Sequence, residues 1–326
     1  MAKLTMVQAL NLALEQEMEK DDSVVVLGED VGVDGGVFRV TDGLINKFGE
    51  RRVMDTPLAE SGIIGMSVGM GVNGLKPVAE IQFSGFTYLA FHQIESHAAR
   101  MRWRSRGAHT VPMVMRTPYS GGVRALEHHS ESREAYYAHT PGLKMVIPSG
   151  PRNARSLLVS AIRDPDPVVF FEPKVSYRAF REEVPDEEET YPLGKSEIVR
   201  EGSDLTMISY GSMMRPTLKA ADVLQEEDGV KAEVIDVLTI SPLDDETFAA
   251  SVRKTGRAVV VHEAARSFGP GAELMARLME KSFWYLEAPI KRVTGYDIVV
   301  PLFAYENAYL PGPDRIVRGA REVLEA

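Results

Sequence analysis

The sequence predicts an α/β protein of two domains, each a largely parallel sheet flanked by helices. Three observations predict it. The 326 residues exceed one ordinary domain and suit two. Short apolar runs alternate with segments of helical period, the pattern of parallel strands covered by helices on both faces. The alternation stops over residues 172–203 and then restarts. One domain is therefore expected over residues 1–190, with an acidic linker at its end, and a second over residues 191–326. No internal repeat is present.

Each element has its own signal. Val7, Leu10, Leu14 and Met18 recur at helical spacing, which predicts an amphipathic helix over residues 5–20. Residues 23–27 form a short apolar run that reads as a buried strand, and residues 28–32 follow as a loop. Gly35-Gly36 marks a turn, residues 44–48 a short helix, and residues 52–55 lead into the next turn. A strand over 77–83 precedes one long helix over 87–104. A β-rich run at 111–116 leads to the Gly121-Gly122 loop, and a helix at 131–139 ends before Pro141-Gly142. A strand at 145–147, a helix at 151–163 and a strand at 168–171 complete the first set. Glu182, Glu183, Asp186, Glu187, Glu188 and Glu189 then crowd around Pro185 and Pro192, which reads as a solvated linker. Strands at 205–210, 232–237, 258–262 and 290–293 alternate with helices at 216–226, 244–254, 271–281 and 313–324.

Composition removes several function classes. A net charge of −10 argues against a broad nucleic-acid footprint. With no cysteine there is no disulfide, no zinc–thiolate site and no cysteine nucleophile. Residues 1–20 lack the basic-then-apolar layout of a signal peptide, and no apolar run reaches the roughly 20 residues that span a bilayer. A cytoplasmic location is expected. No G-x-G-x-x-G opens a helix after the first strand, so a dinucleotide fingerprint is absent.

The richest stretch is Met54-Asp55-Thr56-Pro57-Leu58-Ala59-Glu60-Ser61-Gly62-Ile63-Ile64-Gly65. It reads as a strand end, a turn at Pro57 and the head of a helix. Gly62, Gly65 and Gly69 fall on one helix face, and each costs a helix about 1 kcal/mol relative to Ala. Close approach of another backbone or of a ligand is the usual return for such a face. Glu60 stands where the positive end of the helix dipole favours a carboxylate.

The segment Asp55-Thr56-Pro57-Leu58-Ala59-Glu60-Ser61-Gly62-Ile63-x-Gly65 resembles the core motif of the β subunit of 2-oxo acid dehydrogenase E1 components, thiamine-diphosphate enzymes of the pyruvate and branched-chain complexes. Gly28-Glu29-Asp30-Val31, Pro77-Val78-Ala79-Glu80, His128-His129-Ser130-x-Ser132, His139-x-Pro141-Gly142-Leu143-Lys144 and Arg163-Asp164-x-x-Pro167-Val168 resemble family segments in family order. So do Tyr210-Gly211 and Val261-His262-Glu263, and the likeness covers essentially the whole chain. It implies a pyrimidine-binding domain followed by a transketolase C-terminal-like domain.

The resemblance also implies roles. Glu60 would be the carboxylate that hydrogen-bonds N1′ of the cofactor pyrimidine, with Leu58, Ile63 and Ile64 keeping its surroundings apolar. Phe86 would stack on that ring, and the Leu58 backbone and Gln82 would border it. Glu29 would lie on a polar path between paired sites. His92 departs from the acid that relatives commonly carry in that part of the helix, which weakens a charge relay there. His129, rather than His128, would reach the active site, bind the substrate carboxylate or help acyl transfer to lipoamide. Met113, Ala161, Asp164 and Asp166 would form a potassium site, against the alternative of an ordinary Asp-Pro-Asp-Pro turn. No Gly-Asp-Gly is present to bring Mg²⁺ to the diphosphate, so that half of the cofactor is expected on an α subunit in an α2β2 assembly. E2 acyltransferase, through its subunit-binding domain, would dock near the C-terminal end, where Arg318, Arg321, Glu322 and Glu325 keep the chain polar. A split transketolase or deoxyxylulose-phosphate synthase half, and a non-catalytic assembly subunit, are the rival readings. Gly295-Tyr296-Asp297-x-x-x-Pro301 leans towards branched-chain or broad substrates, with pyruvate open.

Overall fold

The computed structural model describes residues 2–326; Met1, where the stretch tested for a signal peptide begins, lies outside them. The chain forms two compact units. The first runs to Tyr119 and resumes over Tyr136–Leu193; the second is Ser120–Ala135 with Gly194–Ala326.

In the first unit, parallel strands lie in the order Lys144–Val146, Val168–Pro173, Val114–Tyr119, Lys76–Glu80, Val24–Gly28, Val53–Asp55. The helix Met6–Lys20 opens on a capping box between Thr5 and Gln8 and buries Val7, Leu10, Leu14 and Met18, the predicted stripe, together with Met6. It packs on the helix Pro151–Arg163, where Arg163 grips Glu17 through two bonds of 2.8 and 2.7 Å.

Two expectations are corrected here. The long helix of residues 87–104 is broken into Tyr88–Gln93, a widened π turn at Ile94–Ala98, and Met101–Arg104. The Ala99 amide bonds back to the Ile94 carbonyl at 2.9 Å. The turn lies under Gly142, where an added Cβ would sit 2.2 Å from the Ala99 carbonyl oxygen. Apolar spacing carries no sign of that extra residue. The acidic stretch is solvated as expected, with Asp186, Glu187 and Glu188 exposed, but it is not a free linker. Glu182–Val184 pairs antiparallel with Ala2–Leu4, and the acids that follow meet cations. Glu188 pairs with Lys20 and Arg163, Glu189 pairs with Arg152, and Arg155 bonds the carbonyls of Pro185 and Glu187. The basic ends of two helices hold the strip down.

The second unit has the strand order Lys291–Val293, Ala258–Val261, Leu205–Ser209, Ala232–Asp236, Glu197–Arg200, parallel except for the last. Leu205, Met207, Val234, Val259 and Val261 meet Leu224, Ile316, Ala320 and Val323 in its core. The helix Met214–Asp228 stops at Gly229, whose φ of +72° closes it with a left-handed cap. The closing helix Pro313–Leu324 buries Ile316, Val317, Ala320 and Val323. Its outer face carries Arg321, paired with Glu227 and Asp228, and Glu322, paired with Lys291.

Candidate functional site

In an open parallel sheet, ligands gather beyond the carboxyl ends of the strands. In the first unit Gly28, Asp55 and Glu80 share one register line at that end. Asp55 fixes the next loop by accepting from the Gly32 amide at 2.6 Å and the Val33 amide at 3.1 Å. Gly28 is required by space: a Cβ there would sit 2.7 Å from the Glu80 carbonyl.

Glu60 is the first residue of the helix Glu60–Val72 and is buried. Its Oε2 has no hydrogen-bond partner. An unpaired carboxylate oxygen is costly in such a place, so this atom is set for a donor from outside the chain. Glu29 lies close enough to feel it. Burial first, then the charges of Glu60 and Asp30, raise the Glu29 carboxyl above its ordinary value. Gln82 donates to Asp30 at 3.0 Å beside them. Phe86 is half-buried, edge-on to Phe83 at 5.8 Å, and Phe83 is edge-on to Phe38 at 5.5 Å. Ile63 and Ile64 are buried near Glu60, but the Leu58 side chain is 78% exposed and covers nothing in this chain. Glu60, Glu29 and Gln82 are thus gathered at one end of one sheet, with Phe86 on the turn that follows the strand Lys76–Glu80.

A cavity of about 640 Å³ is lined by Asp55, Thr56, Pro57, Ala59, Gly62 and Met66 among others. The Glu60 carboxylate is not in its lining. Nothing of the chain approaches Gly69, and Gly62 and Gly65 meet only side-chain atoms of Ala59 and Gln93, so the glycine face is open.

Beneath the site stands a group that motif reading missed. Arg116, fully buried, donates to Glu172 through two bonds of 2.8 Å and also bonds Glu80; the Tyr177 hydroxyl adds a bond of 2.5 Å to Glu172. Burial works against the Arg116 charge, but Glu172 and Glu80 outweigh it and hold the guanidinium protonated. Glu80 itself is raised by burial against the pull of Arg116. The available signal was a charged residue closing each of three otherwise apolar runs.

The proposed potassium set is less open. Lys144 holds the Asp164 carboxylate at 2.6 and 2.7 Å, and Arg102 holds Asp166 at 2.7 Å. The Met113 carbonyl accepts from Val168 and the Ala161 carbonyl from Asp164. Both carboxylates are thus engaged by cations of the chain itself, while each carbonyl keeps a second lone pair.

His129 belongs to the second unit, on the Ser120–Ala135 segment. Its Nδ1 lies 2.9 Å from the Glu127 carbonyl. A carbonyl only accepts, so Nδ1 donates and the neutral ring keeps its lone pair on Nε2. His128 beside it is exposed with φ of +66°. His92 is exposed on the helix Tyr88–Gln93 and stacks edge-on with His97 at 5.2 Å.

Residues 2–179 match the family described as "Transketolase, pyrimidine binding domain", and residues 194–316 match "Transketolase, C-terminal domain". "Pyruvate dehydrogenase E1 component subunit beta" of Acholeplasma laidlawii is 53% identical over 326 residues, covering 100% of this chain and 99% of the relative. The chain belongs to this E1 β-subunit family. The Bacillus subtilis (strain 168) protein of the same name is 52% identical over 325 residues, with 100% of both chains covered. A solved structure, "Split gene transketolase, inactive beta4 tetramer", superposes with a TM-score of 0.81 over 99% of each chain; at 21% identity it shows the fold alone. No helix among the described residues of this E1 β chain is long and apolar enough to cross a membrane.

Proposed function

We propose that this chain is the β subunit of a thiamine-diphosphate-dependent 2-oxo acid dehydrogenase E1, which decarboxylates a 2-oxo acid oxidatively and passes the acyl group to lipoyl-E2. The observation that carries the reading is the buried, unpaired Oε2 of Glu60 at a helix head, in a family of thiamine enzymes. When bound, thiamine diphosphate supplies a carbon nucleophile at its thiazolium ring. Glu60 holds a proton at N1′ of the pyrimidine, where burial makes a shared proton count for more than in water. Glu29 adds a second carboxyl whose raised affinity for a proton suits a polar path. Phe86 offers a flat face, and Gln82 and the Leu58 backbone border the ring. His129, with its tautomer set by the Glu127 carbonyl, binds the substrate carboxylate or assists acyl transfer.

The chain carries no Gly-Asp-Gly, and its net charge of −10 gives a diphosphate no help. An E1 α subunit therefore holds Mg²⁺ and the diphosphate, in an α2β2 enzyme. The open face of Gly62, Gly65 and Gly69 suits the approach of a partner backbone. The relatives' names favour pyruvate over branched-chain acids. E2 meets the second unit near its C-terminal helix.

The test is calorimetry with thiamine diphosphate and Mg²⁺, on the purified chain and on the chain co-expressed with its α partner. Tight binding and 2-oxo acid decarboxylation are expected only from the pair. Micromolar binding with turnover by the isolated chain would overturn the two-subunit reading. A lipoamide-dependent assay of the pair separates this enzyme from a transketolase half.

A further inference from the structure

We propose that Glu263 and Glu306 are positioning residues that clamp the main chain of Ser120–Ala135 and thereby set where His129 is presented. The proposal rests on the reading of His129 given above.

The segment has little with which to hold itself. Val123 and Leu126 are exposed, so no large apolar side chain anchors its middle. Its own backbone bonds are few: Ser120 to the Glu131 carbonyl at 3.3 Å, and His129 to the Leu126 carbonyl at 3.1 Å. Two buried carboxylates of the same unit add fastenings to its main chain. Glu263, 2% exposed, accepts the Gly121 amide at 3.1 Å and the Ser132 hydroxyl on Oε1. Its Oε2 accepts the Ser212 hydroxyl at 3.0 Å. One side chain therefore ties the two ends of the loop to each other and to the turn that follows the strand Leu205–Ser209. Glu306, 1% exposed, accepts the Gly122 amide on Oε1 at 2.9 Å and the Arg124 amide on Oε2 at 2.8 Å.

The fit is close. A Cβ on Gly121 would stand 3.1 Å from Leu310 and 3.2 Å from Glu306 Oε1. Bonds to a carboxylate are about twice as strong as neutral ones, and a buried carboxylate without donors is costly. Loop and acids therefore order one another. Glu263 and Glu306 act on His129 through the main chain, as supports rather than as catalytic groups.

The experiment uses the full chain assembled with its α partner and carrying Glu263→Ala, Glu263→Gln or Glu306→Ala. Gln keeps the oxygen shared by Gly121 and Ser132, and its amide can donate to the Ser212 oxygen, so it should restore what Ala removes. Two readouts are taken: acyl transfer to lipoyl-E2, and amide hydrogen exchange over residues 120–135. Both Ala variants should lose acyl transfer by roughly tenfold or more while thiamine diphosphate affinity stays within about twofold. Glu263→Gln should recover most of that loss, and Glu263→Ala should add nothing to His129→Ala. Exchange over 120–135 should rise while the strand Leu205–Ser209 stays protected. Unchanged loop exchange, or full acyl transfer in the Ala variants when His129→Ala has lost it, overturns the proposal. If His129→Ala itself retains acyl transfer, the reading of His129 falls, and exchange alone decides whether the acids clamp the loop. Should the Ala variants fail to assemble, Ser132→Ala leaves no acid unpaired; faster exchange over 120–135 supports the clamp and unchanged exchange refutes it.

Discussion

Tyr210 donates its phenolic hydrogen to Glu134 at 2.7 Å, inside the second unit, and the other carboxyl oxygen of Glu134 has no partner. Burial, with a smaller push from Glu263, raises this carboxyl to about 7, against the pull of its own main-chain amide, the Tyr210 bond and Arg133. Burial, aided by Arg292, lowers His262, stacked on the same Tyr210, to about 4. The two act on stability in opposite senses. Glu134 contributes below its unfolded value, and that contribution is lost as pH rises through 7. His262 contributes above its unfolded value, and that contribution is lost as pH falls through 4. Each effect is on the order of 3 kcal/mol. Over pH 5–6.5 they nearly cancel. Glu134→Gln keeps the Tyr210 bond and cannot ionise. Its melting temperature should exceed that of the parent at pH 8 and fall more steeply between pH 6.5 and 5. Parallel melting curves for the two proteins across that range would count against the assignment.

Removing Arg116 leaves Glu80 and Glu172 facing each other without a cation. Arg116→Met should cost about 3–5 kcal/mol, because the cost of breaking a buried pair is the charge left behind. Adding Glu80→Gln and Glu172→Gln to it should recover stability. Denaturant unfolding of the series measures both, and a near-neutral single variant would contradict the picture.

Glu60→Gln preserves shape but cannot share a proton with the pyrimidine in the required sense. Decarboxylation should fall by two to three orders of magnitude, about 3–4 kcal/mol in the barrier, with cofactor still bound. Turnover near that of the parent, measured with bound thiamine diphosphate, would remove Glu60 from its role.

His129→Ala should spare cofactor affinity and impair steps that involve the 2-oxo acid or lipoamide. Stopped-flow decarboxylation set beside acyl transfer to E2 distinguishes those steps. Collapse of cofactor affinity with acyl transfer intact is the outcome that excludes the role.

Much of the fold is legible because local rules and burial agree. The stripe Val7, Leu10, Leu14 and Met18 is both periodic and buried. The turn at Pro57 and the helix head at Glu60 are likewise readable from residue order. What escapes depends on distant partners. The π turn at Ile94–Ala98 lies against Gly142, which apolar spacing over residues 87–104 cannot register. The acids after Pro185 look unattached until Arg152, Arg155 and Arg163 are seen beside them. Arg116 reads as one more strand residue until Glu80 and Glu172 close on it from neighbouring strands. Leu58, apolar in the motif, stands exposed on this chain.

The excursion of Ser120–Ala135 into the second unit also imposes an order in time. Gly121 waits for a partner 142 residues further along, and Gly122 for one 184 residues further. At about 5–20 residues per second of synthesis, those delays span roughly 7–37 s. During it the ribosome has delivered all six parallel strands of the first unit, the last of which, Val168–Pro173, precedes both acids in the chain. The first sheet can close while the histidine segment still hangs out as an unfastened loop. A nascent chain that stops short of Glu263 would carry the histidine with neither fastening, so premature termination yields a chain that cannot present it in its finished place.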